Sequence, residues 1–171
     1  MRGFVANTDF EWYQRLKARS DLDEVNHWQP SGGTAFRAIP TGAPFLFRLK
    51  SPHSAIAGFG FFAHATLVPA SLAWEAFEEK NGTASLDELV RRVSRYRAAP
   101  VGRHEDPTIG CRMISEPTFF EETDWVRDPR DWSPTIVTGK GYGLSTGEGA
   151  RVWQECLLAA RRLVAAHVGL Q

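Results

Sequence analysis

The sequence predicts an α+β fold, a curved, partly closed sheet flanked by helices, and three observations predict it. Strand-like runs cluster in the middle of the chain with no regular strand–helix–strand alternation. Ser85-Leu86-Asp87-Glu88 forms a capping box ahead of a stripe of apolar residues at helical spacing. The chain closes on a long amphipathic stretch, Glu148 to Val168.

Taken in order, Gly3 to Ala6 reads as a short first strand. Thr8 or Asp9 then caps a helix with Phe10, Tyr13 and Leu16 on one face. An acidic turn, Asp21 to Glu24, ends that helix. Asn26 to Thr34 is a polar, glycine-bearing loop that carries Trp28. Pro44 to Lys50 alternates as a strand, and Ala55 to Val68 is the longest strand, with Gly58 and Gly60 inside it. Ser71 opens a helix that Asn81-Gly82 stops. The capped helix behind it carries Leu86, Leu89, Val90 and Val93, with Arg91, Arg92, Arg95 and Arg97 largely outside the stripe. Gly110 to Ser115 reads as a strand, and the Pro-, Asp- and Trp-rich stretch from Glu116 to Pro134 as an ordered loop. Thr135 to Thr138 reads as a short strand before a flexible glycine turn at 139–143. On the last helix Val152, Trp153, Cys156, Leu157, Ala160, Leu163 and Val164 should face inward.

A chain of 171 residues suits one domain with one core, spanning 1–171. Twenty Lys and Arg against twenty Asp and Glu leave no net charge, which argues against a general, sequence-blind binder of nucleic acid. The zero hides an asymmetry: residues 89–104 hold five arginines and no acid, while residues 105–131 hold eight acids against three arginines. No stretch is long and apolar enough to span a bilayer and no apolar signal region opens the chain, so a soluble, cytoplasmic protein is expected. The two cysteines, Cys111 and Cys156, lie far apart, which excludes a zinc knuckle and disfavours a disulfide framework.

Constellations for catalysis are missing. There is no phosphate-binding loop, no Gly-x-Ser-x-Gly elbow, and no histidine pair at metal-ligand spacing. Glu78-Glu79-Lys80 reads as a solvated helix end. A non-catalytic protein without metal or cofactor is therefore expected. What remains is a binding profile. Aromatics make up 12% of the chain, and Trp28, Phe59, Phe61, Phe62 and Trp74 fall in glycine-flanked or loop contexts. Flat rings with a few amides and hydroxyls nearby suit a planar heterocycle; for Phe59 and Phe61 a core role is an equal alternative.

The strings Asp23 to Gly32 (Asp-Glu-Val-Asn-His-Trp-Gln-Pro-Ser-Gly), Phe36-Arg37-Ala38, Pro44 to Leu49, Gly60 to His64, Ser71 to Phe77, Lys80-Asn81-Gly82, Ile109-Gly110-Cys111 and Ile136 to Tyr142 occur in an order that resembles the N-terminal domain of bacterial HNH restriction endonucleases. The resemblance implies a PUA-like fold of the SRA, EVE and YTH kind, a small curved, partly closed β-barrel with flanking helices. It implies a reader that flips a modified base, 5-methylcytosine first, from double-stranded DNA into an aromatic pocket. A role in restricting methylated foreign DNA near the nucleoid follows from it, with an HNH nuclease in cis or in trans. After residue 104 only His167 remains, so the resemblance transfers binding and not cleavage. On that basis Trp28, Phe59, Phe61, Phe62 and Trp74 are the expected cage, and Gln29, Ser31 and Asn81 the hydrogen-bonding edge. Arg37, Lys140, Tyr142, Arg91 and Arg95 are expected on the sugar-phosphate backbone. An EVE- or YTH-like RNA reader and a protein–peptide module are the alternatives.

Overall fold

Side-chain alternation along the strands sorts the apolar residues onto two faces, and a computed structural model, which describes residues 1–19 and 21–169, shows what covers each. The strands are β1 (Arg2–Thr8), β2 (Glu24–Asn26), β3 (Pro44–Leu49), β4 (Ala55–Pro69), β5 (Thr108–Phe119), β6 (Val126–Arg127) and β7 (Gly139–Gly143). The helices are α1 (Phe10–Lys17), α2 (Ala70–Phe77), α3 (Leu86–Tyr96) and α4 (Gly147–Gly169). The strands form one mixed sheet in the order β2-β5-β4-β3-β1-β7, with β6 also on β4. Only β1 and β3 run parallel; the other pairs are antiparallel.

The α+β class holds, but the sheet does not close into a barrel. Closure requires edges long enough to pair around the full circumference. Here β2 offers three residues and β7 five, and they stand at opposite ends of the sheet.

Parity explains the core. Val5 and Leu46 face one way and pack with Phe59, Phe120, Trp153 and Cys156 under α4. Phe4, Ala6, Phe45 and Phe47 face the other way and pack with Trp12 and Leu16 of α1 and with Ile39. All six residues of β3 are buried, as a central strand covered on both faces requires. Burying each large apolar side chain stabilises the fold by roughly 1.5–3 kcal/mol. A third cluster forms where Ala70, Ala73, Leu89 and Val93 of α2 and α3 meet Ile109 and Cys111 of β5.

Several local expectations change. Residues 135–138 form no strand, and the glycine run is itself strand β7. The reason is close approach to β1: a Cβ on Gly139 would lie 2.5 Å from Phe4 Cε1 and 2.5 Å from the Val5 carbonyl oxygen. The capping box is present, with the Ser85 hydroxyl accepting from the Glu88 N–H at 3.2 Å and Glu88 accepting from the Ala84 N–H at 2.7 Å. Arg92 is buried on α3 rather than solvated, because it donates to the Gly82 carbonyl (2.9 Å) and pairs with Glu88 and Glu11. On α4, Val152, Trp153, Cys156 and Ala159 are buried and Ala160 and Leu163 pack partly, while Leu157 and Val164 are exposed. The buried stripe thus runs Val152, Cys156, Ala159, Leu163 and leaves Leu157 and Val164 off its edge. Among the described residues no helix is long and apolar enough to cross a membrane.

Candidate functional site

A cavity of about 180 Å³ opens where the ends of β1, α1, β3 and α3 meet the segment after β2. Its aromatic walls are Trp12, Trp28 and Tyr96, and its polar groups come from Asp9, His27, Gln29, Lys50 and Arg112.

The backbone explains why these residues converge. After β2 the chain stays zipped to β5: the His27 N–H donates to the Arg112 carbonyl (2.9 Å), and Gln29 and Gly110 exchange two backbone hydrogen bonds (2.7 and 3.0 Å). The opposite lip is pinned by Asn7, whose side-chain amide donates to the carbonyls of Ile136 and Val137, each at 3.0 Å. Trp28 is fixed from behind, its indole N–H donating to the Asn81 carbonyl at 2.9 Å. Trp12 is fixed likewise, donating to the Asn26 carbonyl at 3.1 Å. Gly82 passes beneath it with φ of +74°, where a Cβ would lie 2.2 Å from Trp12 Cδ1.

The deep end is a buried polar chain. Arg112 is 2% exposed and among the described residues has no carboxylate partner. Its Nε donates to the His27 carbonyl (3.0 Å), its Nη2 meets His27 Nδ1 (2.7 Å), and its Nη1 has no hydrogen-bond partner among the described residues. The guanidinium lies over the rings of Phe36 and Phe45, each at 5.2 Å. Burial pushes its pKa down to about 9. A guanidinium only donates, so His27 Nδ1 accepts and the ring proton sits on Nε2, directed at the Thr8 hydroxyl (2.9 Å). The Thr8 hydroxyl in turn donates to the Ala6 carbonyl (2.9 Å).

Burial first, and the Arg112 cation second, hold the His27 pKa well below the usual histidine value. The unfolded chain takes up a proton near pH 6.5 that the folded chain refuses. Stability from this group is therefore complete above about pH 6.5 and falls below it, by up to about 1.4 kcal/mol per pH unit. Thermal melts from pH 7.5 to pH 5 check this: His27→Gln should give a flatter profile, and equal slopes would exclude His27 as the source.

At the mouth, Asp9 Oδ1 accepts from Lys50 Nζ (2.7 Å) and from the Tyr96 hydroxyl (2.8 Å), and Lys50 Nζ sits 4.4 Å over the Tyr96 ring. Burial and the Asp9 carboxylate push the Tyr96 pKa up to about 12, so the hydroxyl stays a donor. Both donors meet Oδ1, and among the described residues Oδ2 receives none. Asp9 stands at the start of α1 without capping it through its side chain.

No family model and no curated protein matches the chain. Solved structures do. The ASCH protein of Zymomonas mobilis aligns at 9% identity over 89% of this chain and 94% of its own, with a TM-score of 0.53. Two single-substitution variants of that protein align with TM-scores of 0.53 (9% identity, 89% of this chain, 96% of theirs) and 0.52 (8%, 87%, 92%). The fold is ASCH-like, and at that coarse level PUA-like.

Of the residues expected from sequence, the cavity gathers Trp28 and Gln29. Phe59 and Phe62 are buried on opposite sides of the sheet and Phe61 packs against the α4 core, so core packing claims all three. Trp74 is half-buried on α2, away from the cavity lining. Ser31 is exposed, its hydroxyl turned to the Gly33 N–H. Asn81 is fully buried and spends its side chain on Asn26, the Ala73 carbonyl and the Glu78 carbonyl. Arg37, Arg91 and Arg95 are exposed and Lys140 pairs with Asp131, to which the buried Tyr142 also donates. Asn7, Asp9, Trp12, His27, Lys50, Tyr96 and Arg112 were not anticipated. One signal was readable: Arg112 shares a strand face with Ile114, so a cation stands at a core register position.

Proposed function

We propose that the chain binds one base of a nucleic acid, turned out of its strand, in the cavity beside Arg112, and that modified DNA is the polymer it reads. The observation that carries this reading is the unpartnered Nη1 of a buried guanidinium lining an aromatic-walled cavity. A buried donor without an acceptor costs about 1–3 kcal/mol, and a ligand oxygen or ring nitrogen that reached Nη1 by a small shift of the Arg112 side chain would remove that cost. About 150 Å³ is enough for one six-membered aromatic ring, so 180 Å³ suits a single base. Cytosine offers ring acceptors for Arg112 and an amino group for Asp9 Oδ2, with Trp12, Trp28 and Tyr96 as stacking faces.

In this reading 5-methylcytosine is the first choice of base. The chain is then a non-catalytic reader akin to SRA, EVE and YTH domains, acting in the cytoplasm on double-stranded DNA. It works with an HNH nuclease in cis or in trans, to restrict methylated foreign DNA. The ASCH-like, PUA-like fold and the sequence resemblance support it.

Competition binding tests it, with one duplex carrying cytosine, 5-methylcytosine, 5-hydroxymethylcytosine or N6-methyladenine, and matching RNA, at two salt concentrations. Preference for one modified duplex is the expected result. Preference for RNA moves the reading to an RNA reader, and no binding at either salt overturns it in favour of a protein partner. Trp28→Ala should erase the preference while the chain stays folded. One buried methyl is worth roughly 0.8 kcal/mol, a few-fold in affinity, so the preference has little margin.

A further inference from the structure

The cavity continues into a groove of about 700 Å³, with Asn7, Lys50 and Val137 common to both. The groove is basic: Arg48, Lys50, Arg127 and Arg130 line it against one carboxylate, Asp128. These cations differ in availability. Arg48 is fully committed, with two bonds to Asp128 Oδ2 (3.1 and 2.9 Å) and one to Asn7 Oδ1 (2.9 Å), and it stacks over Trp132 at 4.6 Å. Asp128 is thereby neutralised. Arg127 is exposed and its guanidinium makes no ion pair among the described residues. Arg130 is 70% exposed, and its one carboxylate partner among the described residues, Glu148, is 4.0 Å away.

The turn that carries Arg127 and Arg130 is held from behind. Arg151 Nη2 donates to the carbonyls of Arg127 (3.2 Å) and Asp128 (2.9 Å), and Glu148 accepts from the Arg130 N–H (2.9 Å). Arg151 and that N–H hold the Glu148 carboxyl down at about 2, so it stays charged through the working pH range. Arg127, unpaired among the described residues, and Arg130, only loosely paired with Glu148, are thus set on a turn whose backbone is pinned beside the cavity mouth, which spares a polyanion the cost of ordering that turn.

We propose that this groove is a phosphate track: it carries the phosphodiesters next to the base seated in the cavity, with Arg127 and Arg130 as the contacting cations. The proposal rests on the base-binding reading for the identity of the strand. It replaces the basic face of α3 as the backbone contact, because Arg91 and Arg95 line neither the cavity nor the groove.

The test uses the full chain, a short single-stranded DNA carrying one 5-methylcytosine, the 5-methylcytosine nucleoside alone, and inorganic phosphate alone. Arg127→Ala/Arg130→Ala should weaken oligonucleotide binding by about tenfold or more at low salt and make the slope of log affinity against log salt shallower by about 1.4, two phosphates at about 0.7 each. Nucleoside binding should not change. Arg127→Lys/Arg130→Lys should keep the slope, since charge and not a structural role is at stake. An unchanged slope in the alanine pair, or loss of slope in the lysine pair, overturns the track. Inorganic phosphate that competes at low millimolar concentration overturns it too, in favour of a free-phosphate site. If the slope drops as expected while wild-type chain ignores the nucleoside, the track stands and the base-binding reading falls.

Discussion

Asn81→Ala is expected to lower the melting temperature by about 5–15 °C, from a loss of about 2–4 kcal/mol at roughly 2–4 °C per kcal/mol for a chain of this size. The side chain is fully buried and every polar atom on it is used: Oδ1 accepts from Asn26 Nδ2 (2.8 Å), and Nδ2 donates to the carbonyls of Ala73 (3.1 Å) and Glu78 (2.9 Å). Alanine leaves those partners without it in a site that water does not reach. Asn26 is the next link, because its Oδ1 accepts from the Arg112 N–H (3.1 Å) and its carbonyl holds Trp12. The Asn81 carbonyl holds Trp28. Base binding should therefore weaken together with stability, although Asn81 itself does not line the cavity. A melting temperature within a degree of the parent would show that this network bears no load.

Arg112→Met separates binding from folding. Replacing a buried ion by an apolar side chain of similar length is often neutral or stabilising, and among the described residues Arg112 has no carboxylate that the change would strand. Part of that gain is offset, since His27 Nδ1 and the His27 carbonyl lose a donor. The melting temperature is expected to stay near that of the parent, while affinity for the seated base falls about 10- to 100-fold, the worth of one charge-assisted hydrogen bond. Arg112→Lys should not restore it. A single ammonium lacks the planar fork that serves His27 with two donors and leaves a third, Nη1, unpartnered among the described residues. Titration calorimetry with the nucleoside, alongside thermal melts, reads both quantities. Undiminished affinity in the methionine variant would remove Arg112 from recognition.

Much of the fold was legible because it is written in local patterns. Ser85 with Glu88, the Leu89–Val93 stripe and the alternation through Phe45 and Phe47 each lie within a few residues of chain. The site was less legible. Trp28 and Gln29 stood out as an aromatic and an amide in a polar loop, and both line the cavity. Phe59, Phe61 and Phe62 looked alike from sequence, yet alternation along β4 turns Phe59 and Phe61 to one face and Phe62 to the other, and both faces are covered. Their rings fill the two cores. The remaining lining residues come from six separate stretches, and nothing in the spacing of Asp9, Lys50 and Tyr96 says that three ends of three elements converge on one carboxylate.

By itself the sequence determined the class of the fold, the capped helix, the long closing helix, and a neutral total charge with an uneven distribution, because propensity, capping and periodicity act over short spans of chain. The tertiary structure decided that the sheet stays open, that residues 139–143 pair as a strand, and that Arg112 is sealed beneath the cavity with one nitrogen unpaired. Those outcomes depend on which distant segments meet: a glycine strand needs Phe4 beside it, and a cation becomes a recognition group only once His27, Phe36 and Phe45 exclude water around it and supply too few acceptors.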